Sequence, residues 1–73
     1  MSNADIVQKA LTDLGNSKKV FSATDVMWQV RRNGWQMSSD KARNVLKHLA
    51  RNGSAELIKD GSRYFFRAVA KAA

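Results

Sequence analysis

Asp60-Gly61 stands between two runs of β-formers, residues 55–59 and 62–68, and no other feature restricts the fold of this chain as much. Asp-Gly flanked by alternating apolar positions is a strong short-range signal for a β-hairpin, because both central residues of the tight turn need positive φ. A two-residue turn pairs Lys59 with Ser62 and Leu57 with Tyr64. That register puts Ala55, Leu57, Tyr64, Phe66 and Ala68 on one face, taken as the core side, and Glu56, Ile58, Arg63, Phe65 and Arg67 on the other. Ile58 and Phe65 make the outer face unusually apolar, and a one-residue slip is the alternative register.

Upstream of residue 55 the hydrophobic period is helical. Ile6, Val7, Ala10, Leu11 and Leu14 share one face of a first helix over residues 4–14, with Asn3 as its N-cap and Gly15 as a left-handed stop. Val20-Phe21 reads as a very short strand. Ser22 and Asp25 form a capping box for a second helix, residues 23–33, whose core face is Ala23, Val26, Met27 and Val30 and whose stop is Gly34. Trp35 falls in the turn and is expected to close the core under the hairpin, and Met37 to staple the start of the next helix. Ser38-Ser39-Asp40 caps a third helix, residues 39–52, with Ala42, Val45, Leu46 and Leu49 inward and Gly53 as its stop.

Length and charge narrow the function class. The 73 residues make one domain with a small core, and the ends, residues 1–3 and 69–73, are expected to fray or to be extraneous to it. Few side chains are left to line a deep substrate cavity, so no small-molecule substrate is expected. There is no cysteine and a single histidine, His48, so neither a metal site nor any other cofactor is expected. No nucleophile–base pair or phosphate-cradling glycine loop is present, so the chain reads as a binding module rather than an enzyme. It has no apolar run of transmembrane length and no signal-peptide pattern, which points to a cytoplasmic, DNA-associated protein without a membrane partner. Thirteen Lys and Arg against six Asp and Glu leave a formal charge of +7, which favours a polyanionic partner and nucleic acid first.

The order helix, short strand, helix, turn, helix, hairpin is carried by residues 22–26, 38–46 and 52–53 and by the Asp60-Gly61 turn. From about residue 5 to residue 68 this resembles the winged helix-turn-helix superfamily. The resemblance implies an α+β fold, a three-helix bundle with a C-terminal β-hairpin wing. It also implies that the third helix is the recognition helix. The face of that helix opposite Ala42, Leu46 and Leu49 carries Arg43, Asn44 and Lys47, whose donors and acceptors suit base edges in a major groove. Ser39, Lys41 and Arg51 on the same helix, and Lys59, Arg63 and Arg67 on the wing, are candidates for phosphate contact, although charged wing residues also protect edge strands from pairing. Lys18, Lys19, Arg31 and Arg32 rank below them.

The expected partner is therefore double-stranded DNA, read by a transcriptional regulator. One recognition helix sees few base pairs, so a homodimer on a two-fold site is the usual remedy. The left-handed-DNA-binding winged helices fit less well. They need an Asn and a Tyr one turn apart in the third helix and a Pro-Pro-x-Trp wing, whereas this chain has Arg43 and Lys47 there and no proline. The alternative from a different class is a winged-helix adaptor that binds protein through exposed aromatics, Trp28 and Phe65. Trp28 lies off the core face of the second helix, where it is either peripheral core or an exposed anchor.

Overall fold

The computed structural model describes residues 2–15 and 19–69. Helices α1 (Asn3–Leu14), α2 (Ala23–Arg32) and α3 (Ser39–Arg51) precede an antiparallel hairpin of β1 (Ala55–Asp60) and β2 (Arg63–Ala68). This is the α+β order expected from the periodicity. Each helix starts where a serine hydroxyl accepts an amide three residues on: Ser2 from Asp5, Ser22 from Asp25, Ser38 from Lys41. At α2 the capping box is complete, since the Asp25 carboxylate also accepts from the Ser22 amide at 3.2 Å. The cap of α1 is Ser2 rather than Asn3, which is already the first helical residue.

Both α2 and α3 end in the same hydrogen-bonded turn. The Gly34 amide donates to the Arg31 carbonyl and the Trp35 amide to Val30, just as Gly53 donates to Ala50 and Ser54 to Leu49. This turn directs Trp35 away from the core, where it is 43% exposed instead of lying under the hairpin. Met37, just ahead of the α3 cap, packs inward in its place. Gly15 also departs from expectation. It is extended (φ 158°, ψ 167°) rather than left-handed, and the Phe21 ring lies so close that an added Cβ would meet it at 3.4 Å.

The three apolar stripes and the hairpin base share one core, with Leu14 and Val45 half-buried at its edge. β2 packs on α1 and α2, and β1 on α3. Phe66 joins these parts. Its side chain is fully buried, and its amide and carbonyl exchange hydrogen bonds of 2.7 and 2.8 Å with Phe21. The expected Val20-Phe21 strand is thus a single bridge, Phe21 to Phe66.

The hairpin register differs from expectation by two residues. Asp60 pairs with Arg63, Lys59 with Tyr64 and Leu57 with Phe66, which leaves Gly61 and Ser62 in the turn. Gly61 has φ 64° and no non-glycine residue among the described ones has positive φ, so only the first central residue is left-handed; this is the type II′ pattern rather than type I′. A shift of two preserves which residues share a face, whereas a shift of one would have exchanged the faces. What differs is how much of that face the helices cover. Ala55 and Phe66 are buried, while Leu57, directly across from Phe66 on the strand that packs on α3, and Tyr64, nearer the tip, both expected in the core, are 41% and 39% exposed. Ile58 and Phe65 face one another across the outer side and are half-buried.

Candidate nucleic-acid interface

With Ala42, Leu46 and Leu49 buried, α3 turns its other side to solvent, where Asp40, Lys41, Arg43, Asn44, Lys47 and Arg51 are exposed. Ser39, the first helical residue, is half-buried. Arg43 and Lys47 lie one helical turn apart and line a groove of about 490 Å³. The N-terminus of α2 (Ser22, Ala23, Thr24) and the wing (Ser62, Arg63, Tyr64, Phe65) complete its walls. None of these lining residues is acidic. Three cations from two elements therefore share one concave surface beside the N-terminus of α2, a combination that attracts anions.

The local contacts hold these cations without consuming them. Arg43 Nη1 is 3.5 Å from Asp40 Oδ1, and the two side chains are 48% and 86% exposed. A surface pair at this spacing contributes about 0.2–0.5 kcal/mol, so the guanidinium can exchange the carboxylate for a stronger anion at little cost. The Lys47 ammonium lies 5.3 Å from the centre of the Tyr64 ring, and Lys59, directly across the ladder from Tyr64, approaches the same ring at 5.9 Å. Tyr64 thereby connects α3 to the wing. Placing Tyr64 in the core hid this role; in the observed register its cross-strand neighbour Lys59 is the signal that reveals it. The Ser22–Thr24 segment, expected only to cap and begin α2, also forms one wall of the groove.

Arg67 is engaged by a neighbouring carboxylate. Its Nε and Nη2 donate to Glu56 Oε2 at 2.8 and 2.6 Å, and the side chain is only 35% exposed, so it belongs to a cross-strand ion pair on the outer face. Lys41, Arg51, Lys59 and Arg63 are all exposed. Lys18 lies outside the described residues, and Lys19, Arg31 and Arg32 are exposed away from the groove walls.

The two candidate anchors for a protein partner are not brought together. Trp28 is 54% exposed, with the Arg31 guanidinium 5.0 Å from its ring, and it lines a shallow cavity with Leu14, Phe21 and Arg32. Phe65 is half-buried and lines the cationic groove instead. Trp28 is thus the exposed aromatic of the two alternatives, standing apart from the basic surface.

A polar link ties α1 to the end of α2. Asp13, near the end of α1, accepts from Lys9 Nζ at 3.1 Å and from the Asn33 side chain, in the cap of α2, at 3.1 Å. The Lys9 hydrogen bond holds the Asp13 carboxyl below its ordinary value. Slight desolvation opposes the shift, and the Asn33 amide adds to it.

No helix among the described residues is long and apolar enough to cross a membrane. No family model matches the chain, and no curated protein does. Among solved structures, the chain is similar to one of HOP2, determined to give insight into the DNA recognition and protein interaction domains and the homologous DNA pairing properties of that protein. The two are 18% identical with a TM-score of 0.74, and the alignment covers 93% of this chain and 100% of the other. At that identity the likeness speaks for the fold, and the three helices followed by a hairpin are a winged helix.

Proposed function

We propose that this chain is a double-stranded DNA-binding module that presents α3 to the major groove and closes the wing over an adjacent phosphate strand. The observation that carries this reading is the single groove lined by Arg43, Lys47 and Arg63, with no carboxylate in its walls. Arg43, Asn44 and Lys47 are the base-reading row, since Arg and Lys suit guanine acceptors and Asn the adenine edge. Lys41, Arg51, Lys59 and Arg63 contact phosphates, with Ser39 at the helix N-terminus. The similar HOP2 structure, described in terms of DNA recognition, supports the same reading. Transcriptional regulation and a homodimer on a two-fold site are its natural setting.

The test is fluorescence anisotropy on a short labelled duplex over a range of salt concentrations. About four neutralised phosphates give a log–log slope near −4, at about −0.9 per phosphate. A slope near zero, or no binding at low salt, rejects the reading.

A further inference from the structure

Among the described residues six large hydrophobic side chains are notably exposed, and three of them, Leu57, Tyr64 and Val69, converge on one groove between the C-terminal half of α3 and the inner face of the hairpin. This groove measures about 580 Å³, within the range of about 300–1,000 Å³ typical of ligand sites. Ala50 and Ala55 complete its apolar floor, and Lys47 and Arg51 stand at its rim. Glu56 also lines it, but its carboxylate is already bound by Arg67. The rim is therefore cationic and the floor apolar, with one wall an aromatic ring.

Such a surface is poorly matched to an intact duplex, whose exposed face is phosphate, sugar and base edge. It is well matched to an unpaired nucleotide, which carries a flat apolar base and one phosphate. The position of the groove adds to the argument. It shares Lys47 and Tyr64 with the cationic groove beside α3, so the two adjoin at the Lys47–Tyr64 pair. A strand leaving a duplex held at the first groove would run directly into the second. The two ammonium groups over the Tyr64 ring, at 5.3 and 5.9 Å from its centre, sit on flexible side chains, so a base that stacks on the ring displaces an ammonium towards its own phosphate.

We infer that this second groove holds an unpaired nucleobase against Tyr64, so that the chain binds duplex DNA bearing a single-stranded extension more tightly than blunt duplex. The inference rests on the DNA-binding reading above, and its test separates the two. The full chain is titrated by anisotropy against a blunt duplex, the same duplex with a short single-stranded extension, and the same duplex with an abasic extension of equal charge. The base-bearing extension should bind about tenfold more tightly than the abasic one, equivalent to about 1.4 kcal/mol. An emissive base analogue in the extension, such as 2-aminopurine, should lose intensity on binding as it stacks.

The affinity ratio between the base-bearing and abasic extensions should persist in Tyr64→Phe and fall towards one in Tyr64→Leu and in Leu57→Asn, with circular dichroism showing each variant folded. Because the readout is a ratio, a general loss of charge contacts does not mimic it. Equal affinity for the two extensions, with the blunt duplex still bound, overturns this inference and leaves duplex binding standing. So does an unchanged ratio in Tyr64→Leu and Leu57→Asn. Failure to bind any of the three DNAs removes both.

Discussion

Removing the Phe66 ring is the most informative test of how the wing is attached. Phe66 is fully buried, and its strand touches both α1 and α2. Its two backbone hydrogen bonds to Phe21 do not depend on the side chain. Phe66→Ala therefore isolates packing from pairing: the ladder bonds remain available while the apolar contact between hairpin and helices is lost. Truncating a buried Phe to Ala costs about 3–5 kcal/mol, from lost transfer energy plus the cavity left behind. A chain of 73 residues has a total stability of about 4–11 kcal/mol, so the loss takes a large share of it. At about 4–8 °C per kcal/mol for a domain of this size, the melting temperature should fall by about 12–40 °C. Phe66→Leu keeps most of the apolar volume and should cost about 1–2 kcal/mol. Thermal melts followed by far-ultraviolet circular dichroism measure both. A Phe66→Ala variant that melts within a few degrees of the parent would show that the hairpin is not anchored through this ring.

Arg43→Ala should weaken binding to a preferred duplex by about 1–3 kcal/mol and relax discrimination there. Arg63→Ala should weaken all sequences alike and make the salt slope shallower by about one unit; anisotropy on a panel of duplexes separates the two. Gly61→Val places a β-branched residue at φ 64°, so the turn should loosen and duplex affinity should fall while the three helices stay folded, as amide exchange in α1 to α3 will show. The folded-state pKa of Asp13 is depressed, so its contribution to stability is present above the ordinary carboxylate value of 3.8 and is lost as pH falls below it. Asp13→Asn should accordingly reduce the drop in melting temperature between neutral and strongly acid solution. Trp28→Gln alters an exposed side chain outside the cationic groove and should change stability by no more than about 0.5 kcal/mol, with duplex affinity unaltered.

The helices were legible because their signals are local. Serine caps, a reciprocal Ser22–Asp25 box and stripes of three to five apolar residues act within a turn or two of chain, and each places its element to within about a residue or two. The hairpin shows where local reading stops. Asp60-Gly61 correctly marked a turn, but whether Gly61 takes the first or the second central position is a competition between two turn types. That choice shifted the register by two. Burial along the hairpin was misjudged for a related reason. Alternation tells which face a residue occupies but not which part of that face the helices cover: Phe66 is buried, while Leu57, directly across the ladder from it, is exposed. On the site, Arg43, Asn44 and Lys47 were accessible to sequence reasoning, since the opposite stripe determines their direction. The Arg67–Glu56 ion pair was not, because the two residues face each other across the ladder only in the observed register. Trp35 illustrates the reverse case: a large aromatic suggests core, but the turn that ends α2 carries it outward.

The central claim is that one continuous surface, made of the exposed side of α3, the start of α2 and the hairpin tip, meets duplex DNA. Backbone amide shifts recorded while a short duplex is titrated into the isotopically labelled chain test this directly. The account expects the largest changes in residues 39–47, 22–24 and 62–65, with Trp28 and Trp35 and their neighbours little affected. Changes concentrated around Trp28 and Trp35, with α3 unmoved, would contradict it.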